Sequence, residues 1–139
     1  MLSWAEVREL ADAGVEVGSH GVSHAILTRV DRARAIEEIR ASRDGLAAEL
    51  GAAPASFAYP NGDWNPELVA LVREAGYARA VSTEAHPSRS RHDRHHPYAV
   101  PRKNLTEGSS RGVRGFSRSV FACEALGFFD ALRRRRGMR

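Results

Sequence analysis

Between residues 3 and 82 one pattern recurs three times: a helix-spaced stretch with its own start signal, a glycine that ends it, and a short apolar run. In the first, Ser3 followed by Glu6 has the spacing of a capping box, where each side chain satisfies a backbone N–H of the opening turn. Trp4, Val7, Leu10 and Ala11 recur at helical intervals, and Gly14 stands where a left-handed residue closes a helix. The alternation that follows, residues 15–19, predicts a strand. In the second, Asp31 opens a long helix with Ile36, Ile39, Leu46 and Leu50 inward, Gly51 closes it, and residues 56–59 form a strand. In the third, Asn65 and Pro66 supply an N-cap and a first-turn proline, and Leu68, Leu71, Val72 and Ala75 make one stripe. Gly76 stops that helix, and residues 77–82 are a third strand.

Strands alternating with helices at this spacing build βαβ units, so the predicted fold class is α/β: a parallel sheet or (β/α) barrel. In such folds active sites gather at the C-terminal strand ends. Three loops fall there: the one with His20 and His24, the Tyr59-Pro60-Asn61-Gly62 turn, and residues 84–96 with His86, His92, His95 and His96. In that arginine-rich last loop no apolar wall would tune the imidazoles, so they are expected to be solvated.

A chain of 139 residues with 42% apolar content buries one core. The single Cys123 excludes an internal disulfide and any multi-cysteine zinc site. Neither a secretory leader nor an apolar run of membrane-spanning length is encoded, so no stable membrane insertion is expected, and the compartment, cytoplasm or cell envelope, stays open. Residues 1–84 carry 8 basic and 13 acidic side chains and residues 85–139 carry 13 and 4. The basic half has neither a recognition helix nor interleaved aromatics, so nucleic acid is not an expected partner. Phe121, Ala125, Phe128, Phe129 and Leu132 have helical spacing before Arg133–Arg136. They predict a C-terminal helix that packs on the barrel or, with its basic end, lies on a membrane surface.

Two imidazoles four residues apart after a strand can fill two corners of a tetrahedral zinc-type site, which still needs a third ligand. They can equally be loop histidines hydrogen-bonded to backbone. The run Gly18-Ser19-His20-Gly21-Val22-Ser23-His24, with Leu27-Thr28 after it, resembles the H-[ST]-x-x-H metal motif of the polysaccharide deacetylases, the NodB-homology or carbohydrate esterase family 4 domain. Phe57-Ala58-Tyr59-Pro60-Asn61-Gly62 is similar to that family's third motif in its F-A-Y-P-x-G form. The helix before the histidines, residues 76–81 and residues 98–102 extend the likeness over residues 1–105, leaving 106–139 as a helix and basic tail.

The resemblance implies a distorted (β/α) barrel holding one divalent metal, zinc first, on an Asp-His-His triad, and hydrolysis of acetyl groups from an acetylated glycan. By the family's motifs His20 and His24 are metal ligands, the Asn61 backbone N–H is an oxyanion donor, and Tyr59 and Pro60 wall the substrate groove. The family's first motif, an aspartate pair of the T-F-D-D type that supplies the third ligand and the base, has no match: Asp12, Asp31 and Asp44 fall on predicted helices and Asp63 follows the third motif. The expectation is a partial barrel with its N-terminal strands missing, weak or inactive alone, and prone to homo-oligomerise through an open sheet edge. Gly21 replaces the motif's Ser or Thr, which predicts a looser loop. Ala58 replaces an arginine that many members place beside the base, a role Arg102 can take over unless it is an ordinary surface arginine. The family's late histidine, the general acid, has no clear match. Besides the deacetylase reading stand a non-catalytic remnant that binds glycan or a partner chain, and a basic binder of anionic polymer or membrane surface through residues 85–139.

Overall fold

The computed structural model describes residues 2–83 and 96–102, with residues 111–112, 115–116 and 118–119. Two compact units divide the chain, Met1–Arg102 and Lys103–Arg139. In the second, β4 (Arg111–Gly112) pairs antiparallel with β5 (Gly115–Phe116). The expected C-terminal helix and the loop of residues 84–95 lie outside the described residues.

The first unit holds α1 (Trp4–Asp12), α2 (Arg32–Leu50), β1 (Ser56–Ala58), α3 (Pro66–Glu74), β2 (Arg79–Thr83) and β3 (Val100–Arg102). The helix signals act as the sequence predicts. Ser3 and Glu6 close a full capping box on α1, Asp31 accepts from the Arg34 N–H at 2.8 Å, and Asn65 accepts from the Leu68 N–H at 2.8 Å. Each side chain satisfies one orphan donor of its helix's first turn. Among the described residues no helix is long and apolar enough to cross a membrane.

The three strands are parallel and lie in chain order, Phe57 opposite Ala80 and Val81 opposite Val100. The strand expected over residues 15–19 is reduced to a single parallel bridge, Ser19 to Phe57. Ser19 donates its N–H to the Ser56 carbonyl, and Ala58 donates to the Ser19 carbonyl. Below that bridge the segment is held by side chains: Glu16 pairs with Arg79 and accepts from the Ser56 hydroxyl at 2.9 Å. A Cβ at Gly18 would come within 2.7 Å of the Ser56 hydroxyl, so glycine permits this close approach.

Strand alternation sends Ser19, Phe57, Tyr59, Ala80 and Ser82 toward the helices, where all are buried. Phe57, Tyr59, Tyr77, Ile39 and Val72, each under 2% exposed, form the centre of the core with Leu68, Leu71 and Leu27. The Phe57 ring stands edge-on to Tyr59 at 5.5 Å and tilts against Tyr77 at 5.3 Å. Two packing expectations change. The α1 stripe buries nothing, Trp4 and Leu10 being 47% and 40% exposed. On α2 the fully buried positions are Ala35, Glu38 and Ile39, while Ile36, Leu46 and Leu50 are half-buried.

Among the described glycines Gly62 has the least room for a side chain: its φ is +77°, and an added Cβ would sit 2.2 Å from Thr83 Oγ1 and 2.6 Å from Thr83 N. Gly62→Ala is expected to lower the unfolding free energy by about 3 kcal/mol, against about 1 kcal/mol for Gly14→Ala, which shares the left-handed φ but has open space. Urea denaturation of both variants checks this. Equal losses would show that the turn can retreat from β2.

Candidate active site

His20 follows the Ser19 bridge directly, on the sheet face away from the helices. Its Nδ1 lies 2.7 Å from the Ala58 carbonyl oxygen. A carbonyl only accepts, so Nδ1 carries the proton, and in the neutral ring Nε2 keeps its lone pair. This is the tautomer of a metal-ligating imidazole, whose other nitrogen is fixed by a backbone acceptor. The His24 ring stands edge-on to it, centroids 4.8 Å apart. Both residues are exposed.

Two non-glycine residues have left-handed backbones among those described, His24 (φ 60°) and Asn61 (φ 59°). Both sit in loops leaving the C-terminal strand edge, where residues in sparsely populated conformations tend to serve a site. Asn61 is exposed and its amide donates to Asp63 Oδ2 at 2.9 Å. Tyr59 and Pro60 are buried. The Tyr59 hydroxyl donates to the Tyr98 carbonyl at 2.9 Å, and burial pushes its pKa well above the ordinary phenol value. The Tyr98 hydroxyl donates in turn to the Tyr77 carbonyl at 3.0 Å.

Arg102 is exposed at the end of β3 and shares an open cavity of about 550 Å³ with His20, Ala58, Val81 and the Glu16–Arg79 pair. The sheet thus brings His20 and Arg102 to one face. His96 stands at the opposite strand ends, before β3, where its Nδ1 accepts from the Tyr98 N–H at 3.3 Å.

The histidine loop is braced by a residue that sequence reasoning missed. Glu38, 1% exposed on α2, accepts from the Val22 N–H at 2.7 Å and the Ser23 N–H at 2.9 Å through Oε2. Its Oε1 accepts from the Ser23 hydroxyl at 2.5 Å and from Arg34 at 2.6 Å. The bracing expected to be lost with Gly21 therefore comes from Ser23 and Glu38. Burial drives the Glu38 carboxyl up, but the bonds from Ser23 and Val22 and the Arg34 charge outweigh it and hold it below the ordinary carboxylate value. A second buried chain ties the same helix to the strand: Ser19 donates to Ser42 at 2.6 Å, and Ser42 and Tyr77 each donate to the Ile39 carbonyl at 3.1 Å.

Among the described residues no group of three or more His, Cys, Asp or Glu side chains converges to hold an ion. His20 and His24 offer two ligands, and their imidazole chemistry fits a borderline ion such as zinc.

A family model for polysaccharide deacetylase matches residues 2–80, more than half of the chain, which therefore belongs to that family of hydrolases. Its structure is similar to the Streptococcus pyogenes deacetylase PplD in complex with acetate, with TM-score 0.65 and 21% identity over 75% of this chain and 45% of that one. It is similar also to a polysaccharide deacetylase from Bacillus cereus, with TM-score 0.64 and 22% identity over 89% of this chain and 36% of the other. A family 4 carbohydrate esterase from Streptomyces lividans in complex with acetate gives TM-score 0.54 and 27% identity over 58% of this chain and 42% of that one. The chain spans less than half the length of each of these three. No curated protein matches it.

Because the Glu38 carboxyl is lowered on folding, its stabilisation is complete above the unfolded value of 4.5 and is lost as pH falls through the lower folded value. Glu38→Gln is expected to cost about 2 kcal/mol at pH 7, a penalty that shrinks toward pH 3. Denaturant titrations across that range check it, and a pH-independent difference would overturn it.

Proposed function

We propose that this chain takes part in metal-assisted hydrolysis of acetyl groups on a polysaccharide or N-acetylated sugar, within a partial distorted (β/α) barrel. The observation that carries the reading is the His20–His24 pair at the C-terminal strand edge, with His20 Nδ1 committed to the Ala58 carbonyl and Nε2 left to ligate. The family membership supports it, and so does the acetate, the product of deacetylation, in two of the similar structures.

His20 and His24 would hold a divalent ion, zinc first. When bound, that ion supplies Lewis-acid polarisation of the acetyl carbonyl and a more acidic water. The Asn61 N–H would donate to the carbonyl oxygen as it gains charge, and the left-handed backbone there turns the peptide away from the strand direction. Arg102, across the cavity from His20, would steady a water-activating carboxylate. Tyr59 and Pro60, packed beneath the turn, would back the wall of the groove.

The reaction needs a carboxylate as base and third ligand, and the described residues set none beside the two imidazoles. General-base assistance is worth roughly 10²–10⁴-fold. The 139-residue chain by itself is therefore expected to bind Zn²⁺ weakly and to release acetate from an acetylated chito-oligosaccharide slowly. Calorimetry should give Zn²⁺ binding that His20→Ala/His24→Ala removes, and equal heats from the two proteins would sink the metal reading. Rapid, chelator-sensitive acetate release would instead show that another carboxylate serves as base, Asp63 being the first to replace.

A further inference from the structure

We infer that Glu38 is a positioning residue: its carboxylate fixes the turn between His20 and His24 and so sets the spacing and aim of the two imidazoles. The consequence for metal binding rests on the function proposed above, while the effect on the loop rests on geometry alone. Two ligands on one loop stay at chelating distance only if the backbone between them keeps one conformation. Here that backbone includes Gly21 at φ +80° and ends in His24 at φ 60°. Left-handed residues are disfavoured in a free chain, and a histidine more so than a glycine, so contacts from outside the loop must hold them.

Glu38 supplies those contacts. One oxygen receives two consecutive backbone N–H groups, from Val22 and Ser23, and the other receives the Ser23 hydroxyl and the Arg34 guanidinium. Consecutive N–H groups converging on one anion form a concavity that only an acceptor fits, and a carboxylate is acceptor-only on both oxygens. Glutamine has the same shape but must turn its NH₂ toward either the two backbone N–H groups or the Arg34 guanidinium, neither of which can accept, so one of them is left facing a donor. Gly21 belongs to the same device: a Cβ there would lie 3.1 Å from Glu38 Oε2 and crowd the carboxylate. Glu38 is also anchored on α2 next to Ile39, at the centre of the core, so the loop takes its rigidity from the helix.

The test compares the full chain with Glu38→Gln, Ser23→Ala and His20→Ala, using Co²⁺ alone as the probe and amide hydrogen exchange as a second readout. Glu38→Gln is expected to weaken Co²⁺ binding at least ten-fold and to speed exchange at the Val22 and Ser23 amides at least ten-fold, with Ile39 and Phe57 still protected. Ser23→Ala removes the hydroxyl's two bonds, its donation to Glu38 and its acceptance from Arg34 at 3.3 Å, and leaves every helix residue in place; it should weaken binding about three-fold and carries the test if Glu38→Gln does not fold. Unchanged Co²⁺ affinity and unchanged exchange at Val22 and Ser23 would overturn the inference. So would a loss of protection as large at Ile39 and Phe57 as in the loop, since Glu38 would then be an ordinary core residue. If wild type and His20→Ala bind Co²⁺ alike, the metal reading fails, and the exchange at Val22 and Ser23 alone decides what Glu38 does.

Discussion

Everything at the candidate site hangs from the backbone of β1. Three residues long, it is paired on one side with β2 over its whole length and on the other with Ser19. A buried strand must place each N–H and C=O on a partner. The Ala58 N–H goes to Ser19 and the Ala58 carbonyl to the His20 ring, so one residue fixes both the backbone and the side chain of the histidine segment. The next residue, Tyr59, donates its N–H to the Val81 carbonyl before the chain turns through Pro60–Gly62 against the end of β2. The two loops that carry the site therefore leave adjacent strands as one hydrogen-bonded unit.

The helix layer contributes polarity as well as apolar area. Each large buried side chain contributes roughly 1.5–3 kcal/mol, so Ile39, Phe57, Tyr59, Val72 and Tyr77 account for the cohesion of the unit. That energy is non-directional and cannot set a loop conformation. Directionality comes from the buried polar groups of α2: Ser42 holds the strand at Ser19, and Glu38 holds the turn four residues later. An unpaired carboxylate in that position would be strongly destabilising, so the four donors around Glu38 are a condition of the fold as well as of the site.

Much of this was legible in the amino-acid order. Caps and glycines are local devices, worth their energy within one turn of chain, so Ser3, Asp31, Asn65, Gly51 and Gly76 mark helix ends without reference to anything distant. The strand following Gly14 was less legible because it pairs on only one side among the described residues, and alternation in a sequence does not say how many partners a strand finds. The Glu38 position was readable in part. Ala35, Glu38, Ile39 and Ser42 fall on one helical stripe, and a glutamate on an inward stripe demands donors. The sequence does not say which loop would supply them.

The sequence by itself determined the alternation of helices and parallel strands, the helix boundaries, the family, and the pair of imidazoles at the end of one segment. These follow from interactions within a few residues or from the order of residues alone. The tertiary structure decided the rest: that the Ala58 carbonyl holds His20 Nδ1, that Arg102 joins it across one cavity, that Tyr59 is buried, and that Glu38 braces the loop. Each of these depends on contacts between residues 15 to 82 positions apart. Such contacts exist only once the sheet has registered and α2 has packed on it, and no local propensity encodes them.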